Sequence, residues 1–89
     1  MLKRHADQLG ERLDQLYLTG TTFIGLAELY YWYDIERLSK KPWRDIEARW
    51  QELLSEKGEN YVDPLIEEGL EGFAFFYSEN PSKLSEHAV

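Results

Sequence analysis

Five of the ten Lys and Arg residues in this 89-residue chain, Arg37, Lys40, Lys41, Arg44 and Arg49, fall within thirteen positions. Such a cluster can hold an anion where the backbone presents free amides beside it. Pro42 suggests such a place, because proline suits the first turn of a helix, where its missing N–H is no loss. Lys40 and Lys41 then stand at a helix start whose amides and dipole favour phosphate, a nucleic-acid backbone or a carboxylate. With the segment before it, the cluster reads as a helix-turn-helix pair whose second helix carries Arg44 and Arg49 toward a groove. Opposing this, Asp34, Glu36, Asp45 and Glu47 are interleaved with the bases, and the formal net charge is −7. A DNA-binding face carries a clearer positive footprint. The anion or nucleic-acid site Lys40, Lys41, Arg44 and Arg49 therefore ranks behind contact with a protein.

A second group is acidic. Asp63, Glu67 and Glu71 recur every four residues, which on a helix puts three carboxylates on one face. That face suits a basic partner. It makes a poor metal site, because no histidine joins it and the alternating oxygen ligands of a calcium loop are missing. His5 and His87 sit near the two ends of the chain, away from any neighbour that would orient a general base. There is no glycine-rich phosphate loop, no serine in a nucleophile elbow and no cysteine. Enzyme activity, a cofactor and a small-molecule substrate are accordingly not expected.

Aromatic side chains supply the third group. Tyr30, Tyr31, Trp32, Tyr33, Trp43 and Trp50 are more than one small core obviously needs. Tyr and Trp anchor interfaces because they bury a large area and keep a polar tip. Tyr31 and Trp32 are the pair expected at a surface. The echo of WYDIER in WRDIEAR, eleven residues on, is interrupted by Pro42 and reads as coincidence rather than as a repeat.

These groups need elements to position them. Leu2, Ala6, Leu9, Leu13 and Leu16 recur in steps of four and three, predicting an amphipathic helix over residues 3–17. Gly10 weakens that helix by about 1 kcal/mol against alanine, so it depends on tertiary contacts. Thr19-Gly20-Thr21-Thr22 breaks it, and Thr21 or Thr22 would cap a second helix running to Leu38. In that second helix Ile24, Ala27, Tyr31, Ile35 and Leu38 form one apolar stripe. Leu26, Leu29, Tyr30 and Tyr33 form another, and a helix apolar on both sides is buried or shared with a partner. A third helix runs from Pro42 to Gly58 on the stripe Trp43, Ile46, Trp50, Leu53 and Leu54. Asp63-Pro64 looks like a cap and a start for a fourth over residues 63–79. Gly69, Gly72 and FAFFY favour a hairpin instead, and the helix is preferred.

Length and composition bound the rest. The chain makes one domain over residues 1–80, with 81–89 as a loose tail. Hydrophobic content of 43% and aromatic content of 15% allow collapse into a core. Residues 1–50 hold eight acids and eight bases, while residues 51–89 hold nine acids against two bases. No apolar run has membrane-spanning length, and the early charges are not followed by the apolar segment of a secretory signal. A reducing cytoplasm fits the lack of cysteine.

The expected fold is mainly α, a bundle of about four helices, with a winged-helix-like α+β fold carrying a C-terminal hairpin as the alternative. The expected function is that of a small acidic protein-binding module, an inhibitor, adaptor or accessory regulator of phage or plasmid type. Its contacts would be Tyr31, Trp32, Asp63, Glu67 and Glu71, with homodimerisation as a variant. The alternative is a helix-turn-helix or winged-helix DNA-binding regulator.

Overall fold

The chain runs α1 (Lys3–Thr19), β1 (Thr21–Gly25), α2 (Leu26–Tyr33), α3 (Lys40–Glu56), β2 (Leu65–Glu68) and β3 (Gly72–Phe76) in a computed structural model that describes residues 1–78. The three strands form one antiparallel sheet in the order β1-β3-β2. The fold is thus α+β rather than a four-helix bundle; the C-terminal hairpin of the α+β alternative is present, together with a strand, β1, that the alternative did not include. The tail expected at 81–89, and His87 within it, lie outside the described residues.

Two segments account for the correction. Thr21 to Gly25 does not cap a long second helix; it is a strand, with Thr22 and Ile24 buried and Thr21 and Phe23 exposed. β-branched and aromatic side chains suit a pleated, half-buried surface better than a helix. The helix that follows is only eight residues long. Asp34, in the left-handed region at φ 52°, ends it by turning its N–H back to the Tyr30 carbonyl, a conformation a short polar side chain tolerates.

The second segment is 63–79, where the hairpin replaces the expected helix. Phe73 and Phe75 point inward and Phe76 outward, which is strand alternation. Gly72 fixes the pairing: a Cβ there would lie 2.4 Å from the Ile24 carbonyl oxygen and 2.7 Å from the Gly25 Cα. Only glycine lets β3 approach the end of β1 so closely.

The core lies between the inner face of the sheet and the helices. Leu9, Leu13 and Leu16 of α1 meet Ile46, Trp50 and Leu54 of α3, with Leu29 and Trp32 of α2 and Ile24, Phe73 and Phe75 of the sheet. The Trp50 indole N–H donates to the Val62 carbonyl at 2.9 Å, tying the segment before β2 to α3. Edge-on aromatic contacts, Trp43 with Phe73 and Trp50 with Tyr77, complete the seam.

Candidate functional site

The solvent face of the sheet is apolar. Directly paired residues share a face in an antiparallel sheet, so the register puts Thr21, Phe76 and Leu65 in one row and Phe23, Ala74 and Glu67 in the next. Phe23 is 48% exposed, Phe76 40% and Leu65 74%. At the hairpin tip Leu70 is fully exposed, flanked by Glu68 and Glu71. Beyond Phe23 the surface continues into a shallow depression of about 520 Å³, shared with Leu26, Ala27, Tyr30 and Glu71. The result is a contiguous apolar strip with an acidic border, of the kind that marks an interaction surface.

The two edges of the sheet differ. On β1, backbone groups of Thr21, Phe23 and Gly25 that face away from β3 are met by three side chains, two of them from α1. Thr19 Oγ1 donates to the Thr21 carbonyl at 2.9 Å, Arg12 Nη1 donates to the Phe23 carbonyl at 2.6 Å, and the Gly25 N–H donates to Glu28 Oε1 at 2.9 Å. Arg12 Nη2 also meets Glu28 Oε2 at 2.6 Å. Burial pushes the Glu28 carboxyl up, but the bonds from Arg12 and Gly25 and the Arg12 charge bring it below the ordinary glutamate value. On β2 all four residues are exposed, and among the described residues nothing covers the outward groups of Ile66 and Glu68.

On the inner side, a pocket of about 320 Å³ opens between α1, α3 and the segment leading into β2. Trp43, Trp50, Tyr61 and Phe75 line it, with Glu47 and Asp63 also among its lining residues. The Tyr61 hydroxyl donates to Asp63 Oδ1. Burial, that bond, and the charges of Asp63 and Glu47 push the Tyr61 phenol up to about 12.

The residues singled out from sequence are dispersed. Tyr31 is exposed, and Arg4 Nη2 donates to its hydroxyl at 3.4 Å. Trp32 is only 2% exposed: its indole donates to Gln8 Oε1 at 2.9 Å and the Arg12 guanidinium sits 5.8 Å over its ring, so it belongs to the core and not to a contact surface. Asp63, Glu67 and Glu71 are all exposed but share no helical face, because one precedes β2, one lies in it and one follows it. Lys40, Lys41 and Arg44 are exposed at the start of α3, where Ser39 makes no side-chain cap. Arg49 is drawn out of that cluster by Asp45, whose Oδ2 accepts from Arg49 Nε at 2.8 Å and from the Tyr33 hydroxyl at 2.7 Å. Burial raises the Asp45 carboxyl, but those two bonds and the Arg49 charge hold it below the usual aspartate value.

His5, near the chain start and within the helix expected over residues 3–17, lies in α1 and is buried at 4% exposure. Its ring centroid is 4.5 Å from that of Tyr31, and its Nε2 has no hydrogen-bond partner among the described residues. Phe23, Leu65 and Phe76, which make the solvent face of the sheet, were not picked out from sequence. The alternation of Thr22 and Ile24 with Phe23 was the available signal.

Among the described residues no group of three or more His, Cys, Asp or Glu side chains is arranged to hold a metal ion, and no helix is long and apolar enough to cross a membrane. Comparison with protein-family models, curated proteins and solved structures finds no match for the chain.

Proposed function

We propose that the protein is a binding module that docks another protein on the solvent face of its sheet and the β2–β3 hairpin. One observation carries this reading: Phe23, Leu65 and Phe76 stand exposed side by side on a face the fold does not need to cover. Large apolar side chains in a rimmed patch repay burial against a partner at about 25 cal/mol per Å². Glu67 and Glu71 at its border favour a partner with basic residues around an apolar centre. The open edge of β2 adds backbone groups that a partner strand can pair with. A second copy of the chain is one such partner.

A second reading, a DNA-binding regulator, has its own support in the element order and in exposed Lys40, Lys41 and Arg44. Against it, Glu47, Glu52 and Glu56 occupy the exposed side of the same helix, and the hairpin is acidic at Glu67, Glu68 and Glu71. Phosphate backbones are repelled by such a surface.

Affinity capture from source-cell extract, with cross-linking, separates the two. A protein captured by the wild-type chain should be lost with Leu65→Asp and with Phe76→Asp and retained with Lys40→Glu plus Lys41→Glu. The opposite pattern, together with saturable and salt-sensitive binding of duplex DNA, would replace the first reading by the second.

A further inference from the structure

We infer that the aromatic pocket beside α3 binds a cationic group on an apolar stem, an alkylguanidinium or alkylammonium. The stem would lie against Trp43 and Phe75 and the head would meet Glu47 and Asp63. This site is distinct from the docking surface: Phe75 and Ile66 face into the pocket side of the sheet, whereas Phe76 and Leu65 face out.

Three observations carry the inference. At about 320 Å³ the pocket is of ligand size, and its walls are predominantly apolar and aromatic. Its charged walls are of one sign: Glu47 and Asp63 are present, and no Lys or Arg among the described residues lines it. Neither carboxylate has an ion-pair partner among the described residues, since the three ion pairs there are Lys3–Asp7, Arg12–Glu28 and Arg49–Asp45. Among the described residues Asp63 accepts only from Tyr61, and that bond places its carboxylate beside the ring at the wall. A cation entering between two carboxylates without ion-pair partners is attracted by both. The indole and phenyl faces add attraction for the same charge, strongest where water is excluded. No Lys or Arg among the described residues lines the pocket to pair with a carboxylate or phosphate ligand.

The test is a titration of the full chain followed by two-dimensional ¹H–¹⁵N NMR, reading the indole N–H signals of Trp43 and Trp50. Butylguanidinium and butylammonium should shift the Trp43 indole saturably, while neutral butyramide and anionic butyrate should not. The isosteric pair Glu47→Gln with Asp63→Asn, both at exposed positions, should weaken the cation by about tenfold or more. Its unchanged melting temperature would show that the fold is intact. Phe76→Asp, on the other face, should leave the titration unaltered even where it abolishes protein capture.

Two further probes identify the source of the cation. Tighter binding of spermidine points to a free polyamine, and tighter binding of a blocked arginine tripeptide points to a side chain of a protein partner. Equal shifts from butyramide, linear shifts up to about 100 mM cation, or undiminished binding by the charge-neutral pair would each overturn the inference.

Discussion

Phe75 and Phe76 are neighbours in one strand and occupy opposite environments. Phe75 is fully buried among the helices, while Phe76 is 40% exposed beside Leu65 on the far face. The same holds along β1, where Ile24 is buried and Phe23 is half exposed. One face of the sheet is explained by folding, because it closes the core against α1 and α3. The other carries Phe23, Phe76 and Leu65 exposed and covers nothing among the described residues. An antiparallel sheet can leave one face in water, and that face is then ordinarily polar. Here Phe23, Phe76 and Leu65 stand on it beside Thr21 and Glu67, and the docking proposed above would account for them.

The largest expected effect tests the buried side. Phe75→Ala should destabilise the protein by about 3–5 kcal/mol, the usual cost of emptying a large aromatic site in a core. Phe76→Ala should cost under about 1 kcal/mol, since much of that ring is already in water. Urea unfolding followed by tryptophan fluorescence measures both. Equal losses would mean that the outer face is covered and that the contrast between the two faces is false.

A middle-sized effect tests how the two strands are held together. Gly72→Ala pushes a methyl into the Ile24 carbonyl and the Gly25 backbone, and backbone cannot step aside as a flexible side chain can. A loss of roughly 1–3 kcal/mol is expected from such overpacking. Gly69→Ala, at the other end of the same turn, meets its nearest atom at 3.7 Å and should lose less by the same urea measurement. Similar losses at both glycines would show that close approach is not what fixes the pairing.

The contrast between the faces also explains what could be read from the sequence. The stripes of the first and third helices were plain, and Leu9, Leu13, Leu16, Ile46, Trp50 and Leu54 are indeed buried. Each is a helix with one apolar side, so the period survives. In GFAFFY the period is erased, because aromatics stand on both faces of the strand and an alternation of apolar with apolar looks continuous. β1 was hidden for another reason. Its threonines also make good helix caps, and five residues between two helices are too few to show a period. Trp32 is covered by Gln8 and Arg12, 24 and 20 residues earlier in a different helix, which no local spacing reveals. The pairing of Arg49 with Asp45 was legible as an i,i+4 pair and should have removed that arginine from the basic cluster.

The smallest effect tests the contrast between the two edges. On β1 the outward carbonyl of Phe23 is occupied by Arg12, and Arg12 is held in place by Glu28. On β2 no such cover exists among the described residues. The Glu28 carboxyl is depressed below its ordinary value in the folded protein, so its ionised form is favoured by folding. Its contribution is therefore complete above the unfolded glutamate pKa, and it is lost as pH falls through the lower, folded value. Glu28→Gln keeps an oxygen for the Gly25 N–H but removes the charge. Both partners are about one-third exposed, so solvent screening holds the difference near 1 kcal/mol or less. The wild-type advantage in urea midpoint should be present at neutral pH and should vanish in acid, once pH falls below the lowered folded value of Glu28. It should also shrink in high salt at neutral pH, because the charges are not fully buried. A difference that stays constant down to acid pH would assign Glu28 the role of a neutral cap. The β1 edge would then be covered by the Arg12 hydrogen bond to Phe23 without help from the ion pair.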